Sequence, residues 1–220
     1  MIDKKFYHTL SEQLESKCVQ LVAVSKTKSA EEIKSMYDEG QRIFGENKVQ
    51  ELLSKKPLLP SDIKWHLIGN LQSNKVKQII SNVELIHSVS SMKLLAEIEK
   101  QSKELDISTN ILLQVHIATE ETKSGFTPDE LLSELSSGSF DNLKNTNIHG
   151  LMGMASFTHD NNQIKNEFKQ LKSLFDKFKS EYSKNQDFKI LSMGMSGDYE
   201  LAIEAGSNMV RIGSLLFGAR

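Results

Sequence analysis

The sequence of 220 residues has little cysteine, little proline and no excess of charge of either sign. The single cysteine, Cys18, cannot form a disulfide within the chain, which favours a reducing, cytoplasmic location. The 27 basic and 29 acidic residues are interleaved, so the sequence lacks the concentrated basic patch that nucleic-acid binding requires. Three prolines and 12 glycines leave no material for linkers or low-complexity tracts.

Long hydrophobic runs are missing as well. No apolar stretch approaches the roughly 20 residues of a membrane-spanning helix. The N-terminal stretch MIDKKFYHTLSEQLESK lacks the apolar centre of a signal peptide. Hydrophobic residues make up 38% of the chain, which is enough for a large core, and we expect residues 1–220 to form one domain. Neither a membrane nor nucleic acid is expected among the partners.

Short β-rich runs alternate with helical patterns along the chain. Eight such runs begin near Leu21, Arg42, Lys64, Leu85, Asn110, Asn147, Lys189 and Met209. This alternation predicts a parallel sheet with right-handed crossovers. A doubly wound open sheet is the alternative, but the glycine-rich turn that usually follows its first strand is absent after Thr27. We therefore predict an α/β fold, a (β/α)₈ TIM barrel.

Capping boxes mark the starts of two predicted helices, at Ser29 with Glu32 and at Thr127 with Glu130. Asp160 opens a third, long helix that carries a single apolar stripe. Further helices are predicted at 48–56, 74–82, 91–106 and 196–206.

An additional helix is predicted before the first strand, with Phe6, Leu10, Leu14 and Cys18 on one face. No helix is predicted after the eighth strand, so this N-terminal helix is expected to cover the gap. Lys55 belongs to the predicted helix 48–56, where we interpret it as part of a solvated face.

Lys26 ends the first predicted strand and shares a face with Val22 and Val24 by two-residue alternation. Most lysines lie in water, whereas an amine on a buried strand is partly desolvated and more readily attacks a carbonyl. Active sites of TIM barrels lie at the carboxyl ends of the strands, which places Lys26 at the mouth. A Schiff-base lysine and an ordinary surface lysine are the two interpretations of this position.

Small and hydroxylated residues follow the seventh and eighth predicted strands, in GMSGDYELAIEAG and VRIGS. Phosphate sites of barrels are frequently built from these two loops and a helix N-terminus. Ser196, Gly213 and Ser214 are therefore candidates for phosphate binding. The alternative is that these residues only form tight turns, with Ser196 as a helix cap.

A strand-one amine and a phosphate cradle at the same mouth imply a ligand with both a carbonyl group and a phosphate. Pyridoxal 5′-phosphate (PLP) has both, and Arg211 is placed to meet its pyridine nitrogen. A sugar-phosphate aldolase is the alternative, although only Glu46 among the acidic residues ends a predicted strand. Four histidines lie on different predicted strands without metal-ligand spacing, and are interpreted as hydrogen-bonding residues: His66, His87, His116 and His149.

Eight motifs follow one another from about residue 20 to the last residue: LVAVSKTK, FGENKVQE, WHLIGNLQSNK, HSVSS, KSGF, GLMGMA, LSMGMSGDYELAIEAGS and VRIGSLLFGAR. In order and spacing they resemble the pyridoxal-phosphate homeostasis family of the YggS/PROSC type. The resemblance implies a single (β/α)₈ barrel of PLP fold-type III, similar to the N-terminal domain of alanine racemase. It also implies that PLP is held as a lysine aldimine.

The resemblance assigns roles to individual residues. It makes Lys26 the Schiff-base lysine and Arg211 the arginine that faces the pyridine nitrogen. The remaining implied cofactor contacts are Asn47, His66, Ser196, Gly213 and Ser214.

Four further residues have open roles. His116 stands where the family usually has asparagine. Lys28 is predicted in the loop at the mouth, and it is a candidate, with Lys75 and Lys123, for a second, transient aldimine.

The predicted function is that of a PLP carrier in vitamin B6 homeostasis, without strong catalytic activity, that delivers PLP to apo-enzymes. The chain has no second domain to supply a base opposite the lysine, and an arginine at the pyridine nitrogen weakens the ring as an electron sink. The alternative is an amino-acid racemase of the alanine-racemase type, with Tyr199 or His116 as the opposing base. We expect a monomer, with a dimer as the other possibility.

Overall fold

The computed structural model of the chain describes residues 3–120, 124–182 and 186–218. Eight parallel strands pair in chain order, and β8 pairs with β1, so the sheet is a closed barrel. The strands are β1 Gln20–Val24, β2 Ile43–Glu46, β3 Lys64–Leu67, β4 Leu85–Val89, β5 Thr109–Val115, β6 Thr146–Gly153, β7 Ile190–Met195 and β8 Met209–Ile212. The predicted (β/α)₈ TIM barrel is confirmed.

Helices surround the barrel between the strands. They are α1 Lys4–Ser16, α2 Ala30–Asp38, α3 Val49–Lys55, α4 Val76–Ile79, α5 Met92–Glu104, α6 Pro128–Ser136, α7 Asn161–Glu181, α8 Tyr199–Glu204 and α9 Ser214–Phe217. Short 3₁₀ turns at Lys56–Leu58 and Ser73–Lys75 extend α3 and precede α4. Within the described ranges, no helix is long and apolar enough to cross a membrane.

Local signals explain where several helices begin. Both predicted capping boxes form: at α2, for example, Glu32 N–H donates to Ser29 Oγ at 3.2 Å and Ser29 N–H donates to Glu32 Oε2 at 2.9 Å. Asp160 accepts from the first amides of α7, as predicted. The apolar stripe of α7 then packs on β6 and β7, so its phenylalanines join the layer between the helices and the barrel.

The N-terminal and C-terminal ends of the chain differ from the prediction. A one-turn helix, α9, follows β8, because Gly213 accepts from the amides of Leu216 and Phe217. The N-terminal helix α1 packs against both β1 and α9, as expected of a cover. It ends at Ser16, so Cys18 is exposed in a left-handed turn with φ 55° and does not belong to the buried face.

Two helix predictions are also corrected. The helix after β7 begins at Tyr199 instead of residue 196, because residues 196–198 form a turn in which Asp198 N–H donates to Met195 O at 3.1 Å. Lys55 is not on a solvated face: only 8% of it is exposed, because α3 turns this residue towards the loop after β1.

Candidate binding site at the barrel mouth

A cavity of about 390 Å³ opens at the carboxyl ends of the strands. This volume is within the range of about 300–1,000 Å³ that small-molecule sites occupy. Six of the seven residues predicted as cofactor contacts line it: Lys26, Asn47, Ser196, Arg211, Gly213 and Ser214. Residues that are distant in sequence thus share one mouth, as the barrel topology requires.

The seventh predicted contact, His66, lies elsewhere. It belongs to β3 and is 3% exposed, and its Nδ1 is 2.9 Å from Nε2 of His87. It lines a second cavity of about 500 Å³ at the amino ends of the strands. The structure therefore does not bring His66 to the mouth with the other six.

Lys26 is half-buried in a tight loop between β1 and α2. The predicted strand ended at Lys26, whereas β1 ends at Val24, and Ser25 N–H continues the ladder by donating to Gly45 O at 3.0 Å. Thr27 then adopts a left-handed conformation with φ 66°, and its amide donates to Glu51 Oε1 at 2.5 Å. A left-handed threonine costs about 1–2 kcal/mol, so surrounding contacts must hold the loop in this shape.

Those contacts come from a cluster behind the loop, formed by the buried residues Ser25, Glu46 and Lys55 and the half-buried Glu51. Lys55 Nζ donates to Ser25 O at 2.9 Å, to Glu46 Oε1 at 2.8 Å and to Glu51 Oε1 at 2.6 Å. Ser25 Oγ also donates to Glu46 Oε1, at 2.6 Å. One ammonium group thus ties the loop that carries Lys26 to β2 and α3.

Burial and hydrogen bonding together determine the direction in which the pKa of each carboxylate in this cluster shifts. Glu46 is fully buried, and the loss of solvation raises its pKa, although bonds from Lys55 and Ser25 oppose the change. Burial also raises the pKa of Glu51, but bonds from Lys55 and from Thr27 N–H outweigh it, and the pKa is lowered overall. Glu51 therefore stays ionised next to the Lys26 loop.

Arg211 reaches into the barrel from β8 and is 4% exposed. Its Nη1 donates to Ser192 O at 2.9 Å and to Ser192 Oγ at 2.6 Å, and its Nη2 donates to Gly153 O at 3.0 Å. Burial lowers the pKa of Arg211 to about 10, while Asp198 opposes this shift. The guanidinium is therefore still a cation at neutral pH, held in a fixed plane by β6 and β7.

Ser196, Gly213 and Ser214 form a polar rim between the loops after β7 and β8. Gly213 N–H donates to Ser196 Oγ at 3.3 Å, which joins the two loops. A Cβ at Gly213 would lie 3.2 Å from both Cβ and the carbonyl oxygen of Val24, so a side chain would crowd β1 here. The first amides of the turn at Ser214 have no carbonyl partner within the helix, and the rim therefore presents N–H and O–H donors.

The other walls of the cavity are largely apolar. Val24, Ile68, Met154 and Met195 line it, with Asn47 at the loop after β2. The backbone of Asn47 passes so close to Gly69 that any Cβ there would collide with it. Among the described residues that line the cavity, no Asp, Glu, His, Tyr or Cys occurs.

The residues with open roles are placed as follows. Lys28 lines the cavity, and its Nζ donates to Phe217 O at 3.0 Å and lies 3.7 Å from Glu32 Oε1. His116 Nε2 is 2.9 Å from Glu120 O, and neither His116, Tyr199 nor Lys75 is among the described lining residues. Lys123 lies outside the described residues. Within the described ranges, no group of three His, Cys, Asp or Glu side chains is arranged to hold a metal ion.

The sequence is similar to that of known proteins over most of its length. It matches the family described as alanine racemase, N-terminal domain, over residues 6–220. The pyridoxal phosphate homeostasis protein of Helicobacter pylori is 44% identical over 201 residues, which cover 90% of this chain and 87% of that protein. The protein of the same name from Aquifex aeolicus is 41% identical over 204 residues, which cover 92% and 88%.

Solved structures share the fold. PipY of Synechococcus elongatus, solved with PLP bound, superposes with a TM-score of 0.88 at 34% identity and covers 98% of this chain and 99% of its own. An alanine racemase of Clostridium difficile has a TM-score of 0.72 at 14% identity, covering 100% of this chain and 57% of its own, which is a likeness of fold alone. The chain therefore belongs to the pyridoxal phosphate homeostasis protein family of the YggS/PROSC type, whose barrel is that of the alanine racemase N-terminal domain.

Proposed function

We propose that this chain acts as a single barrel domain that binds PLP at the mouth and takes part in vitamin B6 homeostasis. The observation that carries the proposal is the composition of the mouth cavity. Lys26, Lys28 and Arg211 line it, and no acidic side chain does so among the described residues. A dianionic phosphate ester is attracted to a site with this charge.

The residues present fit the chemical groups of PLP. When bound, the cofactor supplies an aldehyde and an electron-withdrawing pyridine ring. Lys26 Nζ forms a covalent C=N bond with the aldehyde carbon, with loss of one water. Arg211 directs a guanidinium N–H towards the ring nitrogen. Ser196, Gly213 and Ser214 bind the phosphate with N–H and O–H donors, and Asn47 supports the ring side.

The walls of the cavity favour holding the cofactor over catalysis. Racemisation requires a base on each face of the reacting carbon, and Lys26 supplies only one of them. Tyr199 and His116, the candidates for the second base, are not among the described residues that line the cavity. The ammonium of Lys28 already contacts Phe217 O and Glu32. We therefore propose a carrier with little turnover that passes PLP to apo-enzymes in the cytoplasm, as a monomer.

The test of the cofactor site is absorption spectroscopy of the purified chain with PLP. We expect a visible absorption band, and mass spectrometry after borohydride reduction is expected to find the pyridoxyl label on Lys26. Lys26→Ala is expected to abolish both, whereas Lys189→Ala, at the amino ends of the strands, is expected to retain them. A wild-type protein that stays colourless, or a label on another lysine, would refute the proposed site.

The test of the carrier role compares transfer with turnover. The PLP-loaded chain is expected to activate an apo PLP-dependent enzyme faster than Lys26→Ala mixed with the same PLP. Sustained incorporation of solvent deuterium at the α-carbon of an amino acid, abolished by Lys26→Ala, would instead favour the racemase. Borohydride trapping only in the presence of a sugar phosphate would favour the aldolase.

A further inference from the structure

A hydrogen-bond network of buried polar side chains runs through the barrel interior from Arg211 to His66. Arg211 Nη1 is 2.6 Å from Ser192 Oγ, which is 3.2 Å from Nδ1 of His87. Nε2 of His87 is in turn 2.9 Å from Nδ1 of His66. All four side chains are at most 4% exposed, and they come from four different strands. The hydrogen-bond network therefore links the mouth cavity to the cavity at the amino ends of the strands.

The donors and acceptors of this network determine the direction in which each hydrogen bond is donated. Arginine cannot accept a hydrogen bond, so Arg211 donates to Ser192 Oγ. The hydroxyl proton of Ser192 then needs an acceptor, and within the described residues its remaining partner is Nδ1 of His87. The opposite assignment would leave a fully buried O–H without an acceptor, an arrangement that is strongly disfavoured.

This direction determines both histidine tautomers. Because Nδ1 of His87 accepts from Ser192, its proton is on Nε2 and is donated to Nδ1 of His66. His66 therefore carries its own proton on Nε2. Both rings are neutral, since burial lowers the pKa of His66 to about 3 and that of His87 well below its usual value.

At the Arg211 end of the network, the hydrogen bonds hold the orientation of the guanidinium. The Arg211 guanidinium also donates to the backbone carbonyls of Ser192 and Gly153. Among the described residues, Ser192 Oγ is its one side-chain acceptor. A hydroxyl that donates its proton to an imidazole becomes a stronger acceptor, because hydrogen bonds in a chain polarise one another. The hydroxyl thus adds to the orientation of the guanidinium.

We propose that Ser192 and His87 are positioning residues that orient Arg211 towards the ring nitrogen of the cofactor, and that His66 holds the other end of the network. The inference rests on the proposed function, because it concerns the group that Arg211 meets. It extends the site to three side chains that do not line the mouth.

The test compares the affinities for PLP and for its 1-deaza analogue, in which a C–H group replaces the ring nitrogen. Ser192→Ala is expected to weaken PLP binding about tenfold and to change binding of the analogue by less than about twofold. Ser102→Ala is the matched control, because the Ser102 hydroxyl is equally buried but bonds to Thr109 on the outer side of the barrel. It is expected to change the two affinities by the same small factor.

Long-range ¹H–¹⁵N spectra of the ligand-free protein give a second, independent readout. We expect the Nε2–H tautomer for both His87 and His66, and a His87→Gln variant is expected to repeat the selective loss of PLP affinity. An equal loss for both ligands in Ser192→Ala, or an Nδ1–H tautomer at His87, would overturn the inference. If Ser192→Ala does not fold, His87→Gln and the tautomers decide. A wild-type protein that binds neither ligand would overturn the proposed function itself, and the role of Arg211 with it.

Discussion

The two ends of the barrel contrast in charge more than in size. The cavity at the amino ends is the larger, about 500 Å³ against about 390 Å³ at the mouth. Its rim combines Lys64 and Lys189 with Glu15 and Glu84, so its charges are balanced. The mouth is lined by three basic side chains and, among the described residues, by no acidic side chain. Volume alone would therefore select the wrong end for an anionic ligand.

Strand polarity explains the contrast. In a barrel of parallel strands, the carboxyl ends carry the βα loops, which can vary without disturbing the ladder. The Lys26 loop and the rim of Ser196 and Gly213 both use this freedom, since each is a short irregular turn held by side-chain bonds. The amino ends lie at the opposite face, which in barrels contributes mainly to stability. Substitutions at each end, and in the buried groups behind it, are expected to affect the protein differently.

The largest expected effect concerns the cluster behind the mouth. Lys55→Met leaves Glu46 fully buried, with the Ser25 hydroxyl as the one remaining side-chain partner among the described residues. Removing one partner of a buried ion pair typically costs about 3–5 kcal/mol, and we expect a loss of this size in the free energy of unfolding, measured with urea.

Lys56→Met is the control for Lys55→Met. Lys56 is half-buried and donates to Asn82 O at 3.1 Å, not to a carboxylate, so its loss is expected to cost less than about 1 kcal/mol. The double variant Glu46→Gln with Lys55→Met is expected to recover part of the lost stability. Equal losses for the two single lysine variants would contradict the role given to the cluster.

The second effect probes the amino end through the pH dependence of stability. Burial, with a contribution from Lys64, lowers the pKa of His66 from 6.5 to about 3. Its contribution to stability is therefore present above about pH 6.5 and is lost as the pH falls towards 3, with a slope of roughly 1.4 kcal/mol per pH unit. His66→Gln removes this titration, so its stability difference from the wild type is expected to shrink below pH 6.5. A difference that stays constant from pH 8 to pH 4 would show that His66 is not buried as a neutral ring.

The alternation of strands and helices, and the positions at strand ends, could be predicted from the sequence. Strand-one and strand-eight residues such as Lys26 and Arg211 meet because parallel strands of a barrel end on one side. For His66, alternation could indicate an inward side chain but not which end of the barrel it would line.

The supporting groups were less predictable because they depend on three-dimensional approach. Lys55 stands beside Lys56 in the sequence and resembles a surface lysine, and only the packing of α3 on the Lys26 loop buries it. Its spacing from Glu51, four residues earlier, was the available signal. Ser192 had no signal, since its contact depends on how far the long side chain of Arg211 reaches back along β7.

The smallest expected effect compares an added negative charge at the mouth with a charge reversal at the amino end. Ser214→Glu adds a negative charge at the mouth and is expected to weaken PLP binding more than about tenfold, whereas Lys189→Glu at the amino end changes it less than about twofold. Strands of four to eight residues separate the two ends, roughly 13–26 Å, which exceeds the Debye length of about 8 Å at physiological salt. Both substitutions are expected to change the free energy of unfolding by less than about 0.5 kcal/mol, because neither residue is buried. Equal losses of PLP affinity would mean that the amino end contributes to binding, and would remove the distinction between the two cavities.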